Sequence, residues 1–478
     1  MDPIYKKGLV WLRRDLRAHD HTALHHALTR CQQVWVVFVF DQNILNSLPK
    51  HDARVQFIVN SLEDLDRQLR HLGQQRAERA GHNQVGLLVL QGDPVHEIPR
   101  LAQTLGVEAV FTALDHEPYA TERDAHVLGE LAHRGIVMHG YQDQTLAGAN
   151  DIRSQTDRPY TTYSPFKKGW FAQLTAERIQ SRDVEPYAAQ LANIPDALQA
   201  HARVPTTQEL GFEPVTLPHP SLHQGRTGAL VMLEDFRMRM DHYKEARDFP
   251  GIKGPSYLSV HLRFGTLSVR ELARAAWDAH QHGQAGATSW LSELAWRDFF
   301  MQVMHHHPRV VTEEFRPLPD PKPLAHGSQA QTRFQAWKAG QTGIPFVDAG
   351  MRQLAQTGYM HNRLRMVTAM YLCKQMAVNW RWGEAWFAEK LLDFDLALNN
   401  GNWQWVTGTG SEANPPFRVF NPVLQSQRFD PEGKFIRRYV PEVAELSNKV
   451  IHAPWLASPV ERMSAGIELG KTYPAPLV

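Results

Sequence analysis

Four short segments in the second half of the chain hold the side chains best suited to chemistry. In Trp290-Leu-Ser-Glu293-Leu-Ala-Trp296-Arg297, helical spacing puts Glu293 and Trp296 on one face, with Trp290 and Arg297 nearby. A carboxylate among indoles is either a satisfied buried acid or a polar anchor in an aromatic pocket. In Met360-His-Asn362-Arg363-Leu-Arg365-Met366, Asn362 and Met366 point the same way, while Arg363 and Arg365 point elsewhere. An amide on an apolar face must find partners, because leaving it unpaired costs about 1–3 kcal/mol. Asn also matches the edge of a nucleic-acid base. The third segment, Trp380-Arg-Trp382-Gly-Glu-Ala-Trp386, leads to Asp393-Phe-Asp395. These two carboxylates have no third ligand at suitable spacing, so no metal is expected. Their commoner use is to pair with Arg, and Arg365 is the candidate. The fourth, Asn399-Asn400-Gly401-Asn402-Trp403-Gln404-Trp405, reads as a tight polar turn followed by core packing.

The elements that must carry these segments follow from hydrophobic periodicity. Short apolar runs at residues 8–12, 34–40, 86–90, 109–113 and 136–139 predict strands, with helix-length segments such as 54–72 and 95–105 between them. That alternation predicts a parallel, doubly wound sheet covered on both faces. Ligands bind beyond the carboxyl ends of such strands, where Arg13, Arg14, Asp15 and Arg17 follow the first. These charges either meet a ligand or are simply solvated. Neither the glycine-rich dinucleotide fingerprint nor the phosphate-binding loop is present. Residues 141–215 lose the alternation and carry scattered prolines, which predicts a long linker. Beyond it, apolar residues at three- and four-residue steps predict helices at 233–243, 268–279, 289–305, 332–339, 345–354, 362–380 and 383–391. The expected organisation is an α/β domain over 1–140, a linker over 141–215 and an all-α domain over 216–478.

Composition agrees with a globular chain. Its 478 residues are 43% hydrophobic and 21% charged, enough for two or three cored domains. No apolar run approaches the roughly 20 residues of a membrane span. Only two cysteines occur, too few for a disulfide framework, so a reduced, cytoplasmic setting is expected. A net charge of +1 argues against a general polyanion binder, so nucleic acid would need a local basic surface. Ten of the 13 tryptophans lie after residue 270, which suits one large core or a site using indoles for stacking or electron transfer.

Taken together, in this order and spacing, the segments resemble the photolyase/cryptochrome flavoprotein family over nearly the whole chain, and most closely its class I cyclobutane pyrimidine dimer photolyases. VWLRRDLRAHDHTAL resembles the family's opening strand and loop. Tyr243-Lys-Glu-Ala-Arg-Asp-Phe-Pro250, with Gly254-Pro-Ser-Tyr-Leu-Ser259 and Leu262-Arg-Phe-Gly265, resembles its flavin-phosphate segment. WLSELAWRDFF, GYMHNRLRM and DLALNNGNWQW complete the resemblance.

The resemblance implies FAD, active as FADH−, bound by the helical domain. Tyr243, Ser256, Leu258 and Ser259 would contact its phosphates and ribityl chain. Trp290, Glu293 and Arg297 would line the same cavity, with Asn362 in reach of the flavin. Arg365 would pair with Asp393 beside the isoalloxazine, Asp395 would face its polar edge, and Asn399 would sit near N5. Many relatives carry Arg where this chain has Tyr257. The resemblance further implies light-dependent repair of pyrimidine dimers in UV-damaged DNA by a deoxyribodipyrimidine photo-lyase. Glu293 and Asn362 would hydrogen-bond the pyrimidines, Met366 would touch the dimer, and Trp296 and Trp405 would wall the flipped lesion. Arg363 and Arg418 would contact phosphates.

Trp403 and Trp380 match the first two tryptophans of the family's photoreduction chain, but 325–328 reads Ala-His-Gly-Ser where the third is expected. Either photoreduction is slow, or it takes a detour through Trp337, Trp382 or Trp386. A second, antenna chromophore (folate, deazaflavin or flavin) is possible in the α/β domain. Glu122 matches a folate-contact position, while Thr121 and Thr312 depart from that pattern. A monomer is expected, with no membrane association. A cryptochrome-type blue-light receptor is the main alternative, and a light-independent nucleic-acid-binding protein on the same scaffold is a second.

Overall fold

The computed structural model describes residues 3–77, 84–319, 321, 323–412 and 418–478. The chain forms two compact units. One comprises Met1–Tyr160, Ser164–Met238 and Ser256–Pro308; the other comprises Thr161–Tyr163, Arg239–Pro255 and Arg309–Val478.

The first unit is built on five strands: β1 (Tyr5–Leu12), β2 (Cys31–Asp41), β3 (Leu87–Gly92), β4 (Ala109–Ala113) and β5 (Val137–Tyr141). Every pairing is parallel, in the order β3-β2-β1-β4-β5. The continuous apolar runs have a direct cause. Helices Thr22–Arg30, Ala53–Ala77, Pro94–Leu105 and Pro118–Ala132 connect the strands, so β4 is buried along its whole length. One core of this unit gathers Leu9, Trp11, Val37, Leu88, Ile98, Val110 and Val127.

Strand order reverses between β1 and β4, where such sheets open a crevice. The charged loop there is not simply solvated, which corrects one of the alternatives read from the sequence: its side chains are taken up in internal pairs. Arg17 is buried, donates to Asp143 at 2.5 Å and to the carbonyls of His19 and Gly265, and Arg270 adds a second bond to Asp143 at 2.9 Å. Burial opposes the Asp143 carboxylate, but Arg17 and Arg270 outweigh it and hold its pKa well below the usual range. Arg13 pairs with Asp124, and Arg14 with Glu117 at 2.8 Å.

The segment read as a linker contains the helix Tyr163–Gln173 and the short 3₁₀ turns Glu185–Gln190 and Asp196–His201. The Ala192 amide donates to the Val34 carbonyl of β2 at 2.9 Å, and the Trp35 indole donates to the Asn193 carbonyl at 3.0 Å. Helices Gly225–Arg237, Val269–Gln281 and Ala285–His306 complete the unit.

The second unit is built from helices, chiefly Gly327–Ala339, Pro345–Thr357, Asn362–Met370, Trp380–Lys390, Leu396–Thr407 and Pro422–Phe429. Two sequence expectations are corrected here. The single helix expected over 362–380 is broken. It passes into a π turn at Tyr371–Gln375, Ala377 adopts φ +54°, and Asn379 caps a new helix by accepting from the Arg381 amide at 3.0 Å. The turn expected at 399–405 lies inside Leu396–Thr407. Asp395 caps that helix, accepting from the Leu398 amide at 3.2 Å, and Gly408 ends it at φ +88°. Burial of Asn400, Trp403, Gln404 and Val406 overrides the local turn preference of Asn-Asn-Gly.

The last described residues are pinned. The Tyr473 hydroxyl, fully buried, donates to Asp348 Oδ2 at 2.6 Å, and the Leu477 amide donates to the Thr342 carbonyl at 3.1 Å.

Candidate functional site

The helix Ala285–His306 sits in the first unit as a core helix. From Trp290 to Met304 every side chain is buried except Glu293 and Trp296, which are half-exposed on one face. Trp290 is buried with its ring 4.9 Å from Phe236. Trp296 lies nearly parallel to Phe300 at 5.5 Å and edge-on to Phe299 at 5.8 Å, so its indole is braced from the protein side. Arg297 is buried and donates to the carbonyls of Gln144 and Leu262. In the segment 254–259, Ser256 Oγ accepts from the Leu258 amide at 3.4 Å, Leu258 is buried, and Ser259 opens the short helix Ser259–Phe264. Tyr257 between them holds φ +60°, an uncommon conformation for a residue with a side chain.

In the second unit, Asn362 is exposed at the start of its helix, and its amide Nδ2 lies 3.9 Å from Met366 Sδ, so the two share a face as their spacing predicts. Arg365 pairs with Asp393 at 2.7 Å, the pairing expected from the sequence. The other oxygen of Asp393, Oδ1, is buried and accepts no hydrogen bond among the described residues. Asp395 is buried as a helix cap, and Tyr243 is buried beneath the Arg247 guanidinium, 5.4 Å from its ring. Arg363 is already engaged. It pairs with Asp248 at 2.9 Å and lies 4.2 Å over the Phe429 ring, so a phosphate would compete with an existing ion pair. Arg418 is exposed, its guanidinium 5.5 Å from the Phe420 ring. Trp405 is half-buried against the unit's core.

Two residues of this unit were missed in the sequence. Glu384 accepts from Asn400 Nδ2 at 2.8 Å, and its carbonyl accepts from Asn399 Nδ2 at 3.1 Å. The Trp380–Lys390 helix therefore orients the Asn399 amide. Burial raises the Glu384 pKa, against the Asn400 bond and Arg381. The one signal was a lone acid in an aromatic run. His361, buried, caps the Asn362 helix by accepting from the Arg363 amide at 3.1 Å. Burial holds its pKa down to about 4, so it stays neutral and can accept.

The tryptophans are not scattered. Trp403 is buried 5.1 Å from Phe387 and 6.3 Å from Trp337. Phe334 stands between Trp337, at 5.9 Å, and Trp382, at 5.3 Å. Trp386 is flanked by the ammonium groups of Lys338 at 4.5 Å and Lys390 at 4.7 Å. Arg381 covers Trp380 at 4.4 Å. Among the described residues, no three His, Cys, Asp or Glu side chains come together to hold a metal, and no helix is long and apolar enough to cross a membrane.

Comparison with known proteins gives these arrangements a context. The family profile "DNA photolyase" matches residues 8–187, and "FAD binding domain of DNA photolyase" matches residues 290–478. The deoxyribodipyrimidine photo-lyase of Synechococcus is 36% identical, with 98% of this chain and 93% of that protein covered. A class III photolyase from Agrobacterium tumefaciens superposes with a TM-score of 0.85 at 31% identity, covering 100% of this chain and 95% of that one. A cryptochrome from Synechocystis gives 0.85 at 30% identity, covering 100% and 97%. The chain thus belongs to the DNA photolyase family, an enzyme of the photo-lyase class with that family's α/β architecture and FAD-binding domain.

Proposed function

We propose that the chain repairs cyclobutane pyrimidine dimers in UV-damaged DNA, using light. The observation that carries this reading is the exposure of one carboxyl and one indole, Glu293 and Trp296, on a helix otherwise sunk in the core. A folding role does not require leaving that pair at the surface.

The residues also suit FAD. Asp393 Oδ1 is a buried acceptor without a donor, held beside a fixed guanidinium, and a flavin ring N–H or a ribityl hydroxyl is the kind of donor it lacks. Asn399, oriented through Glu384, offers an amide that can accept or donate without adding charge. Tyr243, Ser256, Leu258, Ser259, Trp290, Arg297 and Asp395 are assigned to the cofactor. Bound in its fully reduced form, FADH−, the cofactor supplies the photochemistry, a light-driven electron that opens the cyclobutane ring and is returned.

The chain's own contribution is recognition and orientation. The Glu293 carboxyl and the Asn362 amide hydrogen-bond the pyrimidine edges. Met366 gives a polarisable contact, and the indoles of Trp296 and Trp405 supply faces on which an extruded dimer stacks. A damaged step costs less to extrude than an intact one, which contributes selectivity. Arg418 supplies a phosphate contact, and Arg363 does so only by releasing Asp248. The α/β unit is the proposed seat of any antenna chromophore. Glu122 is exposed there, and its identity as a folate contact is not supported by Thr121. A monomeric, cytoplasmic protein completes the reading.

A cryptochrome-type sensor is the second reading, favoured by the Synechocystis superposition. Incubation with thymine-dimer DNA separates the two. Restored thymines under blue light and none in the dark support repair. A flavin-loaded protein that leaves dimers intact under light leaves only the sensor.

A further inference from the structure

Asp298 follows Arg297 on the Ala285–His306 helix and is buried. One of its oxygens, Oδ2, accepts three hydrogen bonds: from the Leu146 amide at 3.0 Å, the Ala147 amide at 3.0 Å and the Trp170 indole at 2.8 Å. Its other oxygen, Oδ1, is buried and accepts none among the described residues. One turn further along, on the same face, Gln302 is also buried. Its Nε2 donates to the Tyr160 carbonyl at 3.0 Å, which fixes the amide's orientation and leaves Oε1 buried without a donor among the described residues.

Two buried acceptors four residues apart on one helical face, with no donor among the described residues, are costly as they stand, since each forfeits its hydration. A single proton on Asp298 Oδ1 resolves both. The carbonyl-like Oδ2 keeps its three donors, and the new O–H donates to Gln302 Oε1. We propose that Asp298 and Gln302 hold a proton between them, and that this neutral pair is a positioning device for the helix whose opposite face presents Glu293 and Trp296. The proton is taken from and returned to solvent, and no bond other than O–H forms or breaks.

The surroundings favour it. Burial pushes the Asp298 carboxyl up to about 6, against the Trp170 and backbone hydrogen bonds and Arg297. Facing the group are Arg297 on its own helix, the Trp170 indole from Tyr163–Gln173, and the Leu146 and Ala147 amides from the preceding segment. Of these, only Arg297 carries charge. The same helix also holds residue 149 through His306, whose Nε2 lies 2.9 Å from the Ala149 carbonyl. The 298/302/306 face therefore anchors residues 146–160.

The proposal rests on the repair reading only in supposing that this helix presents a site. Its test is run on the full-length, flavin-loaded protein in the dark, so failure of repair and failure of the pair are distinguishable. D298N mimics the protonated pair, because its carbonyl can take the three donors and its amide can donate to Gln302. The sign follows from the raised pKa. A carboxyl whose folded pKa exceeds its unfolded one stabilises the fold below the unfolded value and loses that contribution as pH rises through the folded value. Wild type should therefore lose melting temperature relative to D298N between about pH 4 and pH 7, the difference between the two curves being the readout. Infrared difference spectra, wild type minus D298N, should contain a protonated-carboxyl band at pH 5 that vanishes by pH 8. Q302L, which removes the acceptor, should move that titration to lower pH. Amide exchange at Leu146 and Ala147 should slow in acid in wild type, after correction for intrinsic rates, and not in D298N. Identical pH profiles in wild type and D298N, no titrating band, or a D298N protein that fails to fold would each overturn the proposal.

Discussion

At the scale of single residues, the indole of Trp296 is half-exposed and backed by Phe299 and Phe300. Stacking of a base on an aromatic ring contributes about 1–3 kcal/mol. Trp296→Ala should therefore weaken dark binding of dimer-containing DNA about tenfold or more, with Trp296→Phe intermediate, measured by titration of a labelled duplex at fixed salt. The Arg365–Asp393 pair makes a second case. The Asp393 side chain is 5% exposed, so removing it strands a guanidinium whose partner is gone. Asp393→Ala should cost about 3 kcal/mol of stability and lower the flavin content of purified protein, read by denaturant titration and by the visible-to-ultraviolet absorbance ratio.

At the scale of elements, the helices Gly327–Ala339, Trp380–Lys390 and Leu396–Thr407 set three indoles in one connected set of rings, with Trp386 outside it. Trp403 touches Trp337, Phe334 bridges Trp337 to Trp382, and Trp386 lies between two lysines. A hole moving outward from Trp403 is positive, and cations over a ring disfavour positive charge on it. Trp337→Phe and Trp382→Phe should thus slow light-driven reduction of the flavin severalfold, and Trp386→Phe much less. Equal rates in all three proteins, followed by absorbance under continuous blue light with a thiol present, would exclude the detour.

Elements also show where sequence reading succeeds and stops. Strands announce themselves when both faces are buried, because nothing polar interrupts the run; β4 coincides with its expected bounds, and β1 and β2 are longer by a few residues. The Glu293–Trp296 and Asn362–Met366 spacings were legible because helix geometry fixes which neighbours share a face, and the Arg365–Asp393 pairing because a carboxylate without metal ligands nearby most often pairs with an arginine. The helix at 399–405 was not legible. Its Asn-Asn-Gly string favours a turn locally, and only tertiary burial of Trp403 and Gln404 decides otherwise. Nor was the break after Met370, which depends on Ala377 in a left-handed conformation that composition does not signal. The partners of Arg13, Arg14 and Arg17 lie about a hundred residues or more away, so their loop could not be distinguished from a solvated one. Glu384 was hidden for a related reason, because its importance lies in orienting the Asn399 amide.

At the scale of the whole molecule, a net charge of +1 gives no general attraction for DNA, so binding must come from a few placed cations. Removing one cation that neutralises a phosphate should flatten the dependence of log affinity on log salt by about 0.9. Arg418→Ala should flatten the slope by that amount, with the melting temperature followed in parallel. Arg363→Ala should change both, because its guanidinium also serves Asp248 and Phe429. A salt titration alongside a thermal melt separates the two arginines.

The anchored Tyr473 has a practical corollary. Its hydroxyl closes the hydrogen-bond set around Asp348, which also takes the Thr342 hydroxyl. Losing Tyr473 to proteolysis would leave an acid in the protein interior short of a donor, so preparations clipped there should be recognisable by early precipitation on warming.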